Sequence, residues 1–188
     1  QADLYYGPKK PKPAKAFDTR GDVLHCSSFS KCLAPGYRMG WAAAGGHADR
    51  VRRLKLGTTL SAAIPSQLAL ADYLEGAGFD RHLPRLRETL ASARDVMIDA
   101  ISEHFPKDTK VTCPQGGYFL WLELPRGTNG LELHRLALNH GISVAPGAIL
   151  AARDTFAHCI RINYGHPEDP RVIRAIKTLG RLAAQCAP

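Results

Sequence analysis

The sequence has no apolar run approaching the roughly eighteen residues that a membrane-crossing helix needs, so no membrane span is expected. No basic-then-apolar leader follows Gln1, so no secretory signal is expected, and the chain is read as starting inside a longer protein. Cysteine is sparse and odd in number: residues 26, 32, 113, 159 and 186, with no C-x-x-C pair. That argues against a disulfide framework or a zinc knuckle and favours a reducing cytoplasm. Eight histidines are scattered without H-E-x-x-H spacing, so no metal is expected. Walker A and G-x-G-x-x-G patterns are missing, which closes the motif route to nucleotide binding. Aromatics are only 7% and do not interleave with basic residues, so base stacking is not expected. There is no long basic tract, no internal repeat and no low-complexity segment.

The 188 residues suffice for one good core, or for a small domain plus part of another. Lysine and arginine exceed aspartate and glutamate by 25 to 17, a net charge of +8, which favours anionic partners such as phosphates or carboxylates. Residues 1–22 have loop composition, with Gly7-Pro8, Pro11 and Pro13 among lysines. Val23 to Ser27 and Arg38 to Ala44 lean towards strands joined across Ala34-Pro35-Gly36. Helices are expected from His47 to Leu56 and from Pro65 to about Gly76. Phe79, Leu83, Leu86, Leu90, Ala93 and Met97 recur at three- and four-residue steps, continuing to Phe105. They mark one long amphipathic helix stopped by Pro106, its apolar stripe facing a core.

Strands are then expected at Lys110 to Cys113, Tyr118 to Leu124, Ile142 to Ala145 and Cys159 to Tyr164. Helices are expected at Leu131 to His140, with Gly141 as C-cap, and at Asp169 to Ala184. Strands interleaved with helices indicate an α/β architecture. A boundary near the start of the long helix divides the chain into residues 1–80 and 81–188.

Three side chains stand out. Lys31 follows a strand and is flanked by Ser28 and Ser30. Ligands in open α/β sheets bind beyond the carboxyl ends of strands, and a partly desolvated lysine there forms a Schiff base with an aldehyde. The serine hydroxyls suit a phosphate. Arg38 lies just past Pro35-Gly36, where a returning loop would bring its guanidinium towards Lys31; arginine grips phosphate with two prongs. Arg161 sits among apolar neighbours in Cys159 to Tyr164. A buried arginine needs an anionic partner, either an internal carboxylate or a substrate. Ser-x-x-Lys also opens the β-lactamase site, but Ser-Asp-Asn and Lys-Thr-Gly do not follow, and Pro35-Gly36 forbids a long helix starting at Ser28.

Ser27 to Trp41, reading SSFSKCLAPGYRMGW, resembles the lysine signature of fold-type I aminotransferases, which use pyridoxal 5′-phosphate (PLP). Pro114 to Trp121, Gly141 to Gly147 and Ile160 to Gly165 match later pieces in order and spacing, so the likeness covers nearly the whole chain. His25 to Leu33 and Asn163 to Pro167 are most similar to the MocR subgroup of GntR-type transcription regulators. Such regulators join an N-terminal helix-turn-helix to an aminotransferase-like domain that senses PLP or an amino-acid adduct of it.

The resemblance implies an α/β fold, aminotransferase fold type I. Residues 1–80 would end the large PLP domain, and residues 81–188 would form the small C-terminal domain. It implies Lys31 as the PLP-bearing and catalytic residue. Ser28, Ser30 and Arg38 would bind the cofactor phosphate, and Arg161 an amino-acid carboxylate. It also implies a homodimer, an amino acid as substrate or effector, and DNA contact only through a domain outside this chain. A stand-alone class I/II aminotransferase is the second reading, and a binding or dimerisation fragment without chemistry the third. The family's aspartate beneath the pyridine nitrogen, and its companion tyrosine, fall upstream by spacing; Asp3 and Tyr6 lie too close to Lys31 for those roles. The chain by itself is therefore expected to bind PLP poorly and not to transaminate. Mixing it with PLP and recording the absorbance tests this: no strong Lys31-dependent band is expected, and such a band would contradict the expectation.

Overall fold

The computed structural model describes residues 3–153, 155–166 and 169–187; Gln1 and Pro167 lie outside the described residues. The chain divides into two compact units, Gln1–Glu88 and Thr89–Pro188. No helix among the described residues is long and apolar enough to cross a membrane.

In the first unit, β1 (His25–Ser28) pairs antiparallel with β2 (Gly40–Ala43), with Ser28 opposite Gly40 and His25 opposite Ala43. Helices α1 (Ala48–Thr59) and α2 (Ile64–Glu75) follow, the second with Pro65 in its first turn, where a missing N–H costs nothing. The strand starts two residues later than the composition suggests, because Val23 is committed elsewhere. The Asp18 carboxylate accepts the backbone N–H groups of Arg20, Gly21, Asp22 and Val23 at 2.8–3.2 Å, and the Lys15 ammonium at 2.7 Å. Its side chain is only 4% exposed. A loop that would otherwise leave four donors unpaired is thus gathered around one anion.

Helix α3 (Gly78–His104) continues through Pro84 and ends before Pro106, as its apolar spacing implies. The second unit contains a four-stranded antiparallel sheet in the order β3 (Lys110–Val111), β4 (Phe119–Glu123), β6 (Cys159–Asn163), β5 (Ala145–Pro146). Alternation decides its faces. Leu120, Leu122, Ile160 and Ile162 are buried on one side, while Phe119, Trp121, Arg161 and Asn163 share the other.

Helix α4 (Gly130–Leu138) is capped by Asn129, whose side chain accepts the N–H groups of Leu131 and Glu132. It ends in a left-handed turn at Gly141 (φ 70°), with Ile142 N–H returning to Ala137 C=O. That return explains why β5 does not begin at Ile142: the chain is still closing the helix end. Helix α5 (Pro170–Gln185) starts at Asp169, which accepts the Arg171 N–H and pairs with its guanidinium. The Arg171 guanidinium holds the Asp169 carboxyl down to about 2. Ile176, Leu179, Leu182 and Ala183 of α5 are buried, as are Leu133 and Ala137 of α4, which packs against it.

Two outcomes follow. A Cβ at Gly180 would collide with the His104 carbonyl and come within 3.1 Å of the Phe105 ring. In an open helix Gly→Ala gains roughly 0.5–1 kcal/mol, whereas overpacking costs about 1–3 kcal/mol. Gly180→Ala should therefore destabilise, measured as a lower urea midpoint at unchanged slope. The Lys15 ammonium and the backbone donors hold the Asp18 carboxyl well below the usual carboxylate range. A depressed folded-state pKa means that its contribution is complete above the unfolded value, about 3.9, and drains away as pH falls below it. Asp18→Asn should lower the melting temperature at pH 7 and flatten its dependence below about pH 4, as read by thermal denaturation across that range.

Candidate active site

The residues of interest fall in the two units, and each cluster is built locally. In the first unit, Phe29 N–H donates to Met39 C=O (3.0 Å) just beyond the β1–β2 ladder, which closes the segment between the strands into a loop. Leu33 and Ala34 N–H groups both donate back to Phe29 C=O at 2.9 and 3.1 Å, so residues 29–34 form one helical turn. Lys31 lies on the exposed side of that turn, and Cys32, its neighbour, is buried. The turn is held from the first stretch of α3. The Phe29 ring meets Phe79 edge-on at 6.1 Å, and His82 Nε2 lies 3.0 Å from Cys32 C=O. Burial pushes the Cys32 thiol up, so it stays protonated and is no competing nucleophile beside Lys31.

Arg38 is not the start of a strand. It caps the 3-10 turn Pro35–Tyr37 in a left-handed conformation (φ 52°, ψ 34°), donating its N–H to Pro35 C=O. Its guanidinium donates to Ser30 Oγ at 3.4 Å and to Pro35 C=O at 3.5 Å. Among the described residues no carboxylate pairs with it, so most of its donors remain available. Ser28 ends β1, exposed. The structure thus brings Ser30 and Arg38 together on the loop that carries Lys31, with Ser28 at its root. A primary amine, two hydroxyls and a guanidinium in one exposed loop form a donor set suited to a phosphorylated aldehyde.

In the second unit, Arg161 is half-buried on the open face of the sheet, opposite Trp121 on one side and Ala145 on the other. Its guanidinium lies over the Phe119 ring, 4.5 Å from the centroid. The sequence left open an internal carboxylate as its partner; no ion pair of the described residues involves Arg161. It lines a cavity of about 360 Å³ together with Phe119, His134, Ser143 and Asn163. Asn163 was legible in the sequence, since a period of two puts it on the face of Arg161. His134 was not: it sits on an amphipathic helix, where a lone histidine carries no signal. No group of three or more His, Cys, Asp or Glu side chains among the described residues is placed to hold a metal ion.

Comparison with known proteins matches this chain over nearly its whole length. The pattern of the family described as aminotransferase class I and II matches residues 2–178. The HTH-type transcriptional regulator YdcR of Escherichia coli is 46% identical over 181 residues, which are 96% of this chain and 39% of that protein. Aromatic-amino-acid aminotransferase 1 of Thermococcus litoralis is 34% identical over 178 residues, 94% of this chain and 43% of that protein. The solved kynurenine aminotransferase of Pyrococcus horikoshii superposes with a TM-score of 0.89 at 29% identity, covering 98% of this chain and 46% of its own. The chain therefore spans less than half the length of these relatives. With the match running almost end to end and the fold following that of solved PLP-dependent fold-type I enzymes, this chain belongs to the class I and II aminotransferase family.

Proposed function

We propose that this chain is the PLP-binding, effector-sensing portion of a MocR/GntR-type transcription regulator. The observation that carries the reading is the 46% identity to a helix-turn-helix regulator across 96% of the chain. A second such regulator of Escherichia coli, YjiR, is 33% identical over 91% of it. On this reading residues 1–80 end the large cofactor domain, and residues 81–188 are the small domain. The whole protein is a cytoplasmic homodimer that meets DNA through a segment outside this chain and responds to an amino acid.

The donor set of the first unit fits PLP. Lys31 is the amine that would hold the cofactor through its aldehyde carbon. Arg38, aided by Ser28 and Ser30, would grip its phosphate, since a guanidinium without a carboxylate partner matches two phosphate oxygens at once. Arg161 would fix the α-carboxylate of the amino acid, its plane set by the Phe119 ring. When bound, the cofactor supplies an electron sink; the protein supplies position and charge.

A stand-alone aminotransferase remains the second reading, favoured by the 34% identity to the Thermococcus litoralis enzyme. The two separate on the intact native protein. A regulator shifts operator DNA in a gel and changes its affinity when PLP and an amino acid are added. An efficient transaminase without DNA binding would overturn the regulator reading.

In the intact protein, Lys31→Ala should abolish the visible absorbance that PLP acquires on binding. Arg38→Ala should weaken PLP retention about 10- to 100-fold, the range for losing charged hydrogen bonds of about 1.5–3 kcal/mol. Absorbance titration after dialysis checks both; retention of the band by Lys31→Ala would remove Lys31 from its role.

A further inference from the structure

Lys31 stands on an exposed turn, yet the backbone on both sides of it is held by one stretch of α3. Two residues before Lys31, the Phe29 ring meets Phe79 edge-on at 6.1 Å. One residue after it, Cys32 C=O lies 3.0 Å from His82 Nε2. A carbonyl oxygen only accepts, so Nε2 carries the proton in this contact, whether or not Nδ1 is protonated too. Phe79 and His82 are three residues apart in α3 and so share one face of it. Leu83, next to His82, is buried, which seats that stretch of helix within the first unit.

The bonds inside the turn leave the far side of Lys31 open. Leu33 and Ala34 N–H groups both return to Phe29 C=O, at 2.9 and 3.1 Å, and neither touches the Cys32 carbonyl. Cys32 is only 5% exposed, so water replaces a lost donor there poorly. A lysine ammonium rides on a flexible four-carbon stem, and its reach is defined only as well as the backbone beneath it. Arg38 is placed by different contacts, its guanidinium donating to Ser30 Oγ and Pro35 C=O. The amine and the phosphate grip therefore depend on separate bonds. We infer, on the reading that Lys31 holds PLP through its aldehyde carbon, that His82 is a positioning residue for Lys31. By holding Cys32 C=O it fixes the backbone from which the amine reaches, and it leaves the phosphate grip to Arg38 and Ser30.

Pyridoxal 5′-phosphate and pyridoxine 5′-phosphate share ring and phosphate. They differ at one carbon, an aldehyde that an amine can attack or an alcohol that it cannot. Both are measured on the intact native protein by equilibrium dialysis. His82→Ala should weaken PLP about two- to tenfold, as for one lost hydrogen bond, and leave pyridoxine 5′-phosphate within about twofold. His82→Gln, whose side-chain amide keeps a donor near the place of Nε2, should recover most of the loss. A variant that only loosens the fold would weaken both ligands together. Without any cofactor, hydrogen exchange at the Leu33 and Ala34 amides should quicken about two- to tenfold in His82→Ala and return towards the native rate in His82→Gln. Equal weakening of the two ligands, unchanged PLP affinity, or unchanged amide exchange in His82→Ala each overturns the positioning role while Lys31 keeps its own. If Lys31→Ala retains PLP as the native protein does, the Lys31 reading falls and the role of His82 falls with it.

Discussion

The pairing of β1 with β2 is what makes Lys31 and Arg38 members of one loop. Ser28 opposes Gly40, and the next bond outward, Phe29 N–H to Met39 C=O, ties the two ends of the segment between them. The approach is close enough that a Cβ at position 40 would come within 2.7 Å of Ser27 C=O. A slip by one residue would turn every side chain of these strands to the other face and move Ser28 away from the loop root. Within the closed loop, the helical turn at 29–34 and the left-handed residue 38 divide the work. The turn leaves Lys31 exposed, and the reversal at Arg38 sends its guanidinium back to Ser30. A non-glycine residue in that conformation is strained, a recurrent property of functional positions.

The two units differ in how they are stabilised. In the second, the sheet buries Leu120, Leu122, Ile160 and Ile162 on one face, and α4 and α5 contribute Leu133, Ile176 and Leu179. Its order comes from apolar burial, the largest favourable contribution to folding. In the first, α1 buries no residue and α2 only Leu70. Leu54, Leu56, Leu60, Ile64 and Leu68 are each more than 60% exposed. That exposure contrasts with the buried apolar face of the second unit. What holds the approach to β1 is polar and local: the Asp18 carboxylate with its four backbone donors and Lys15. The loop that carries Lys31 is fixed by the Phe29 N–H to Met39 C=O bond, by the Phe29–Phe79 contact and by the burial of Cys32.

Element types were legible because each carries a periodicity or a punctuating residue. The 79–105 stripe gave α3, Pro65 and Asp169 announced helix starts, and Gly141 a helix end. Where ends moved, a specific bond moved them: Asp18 claims Val23, Pro35 C=O claims the N–H of Arg38, and Ala137 C=O claims Ile142. None of these bonds has a sequence signature, since each joins a side chain or a carbonyl to a donor chosen by the path of the chain.

The sequence by itself determined the chemistry on offer: one lysine between serines after a strand, an arginine beyond Pro-Gly, and an arginine in an alternating strand. Those are properties of residue type and spacing, which act locally and survive without knowledge of the path. Only the tertiary structure decided that Arg38 turns back onto Ser30, that the Phe119 ring lies against Arg161, and that His134 joins Arg161 at one cavity. Residues 119, 134 and 161 are far apart along the chain, and what brings them together is sheet register and helix packing, which no local pattern encodes.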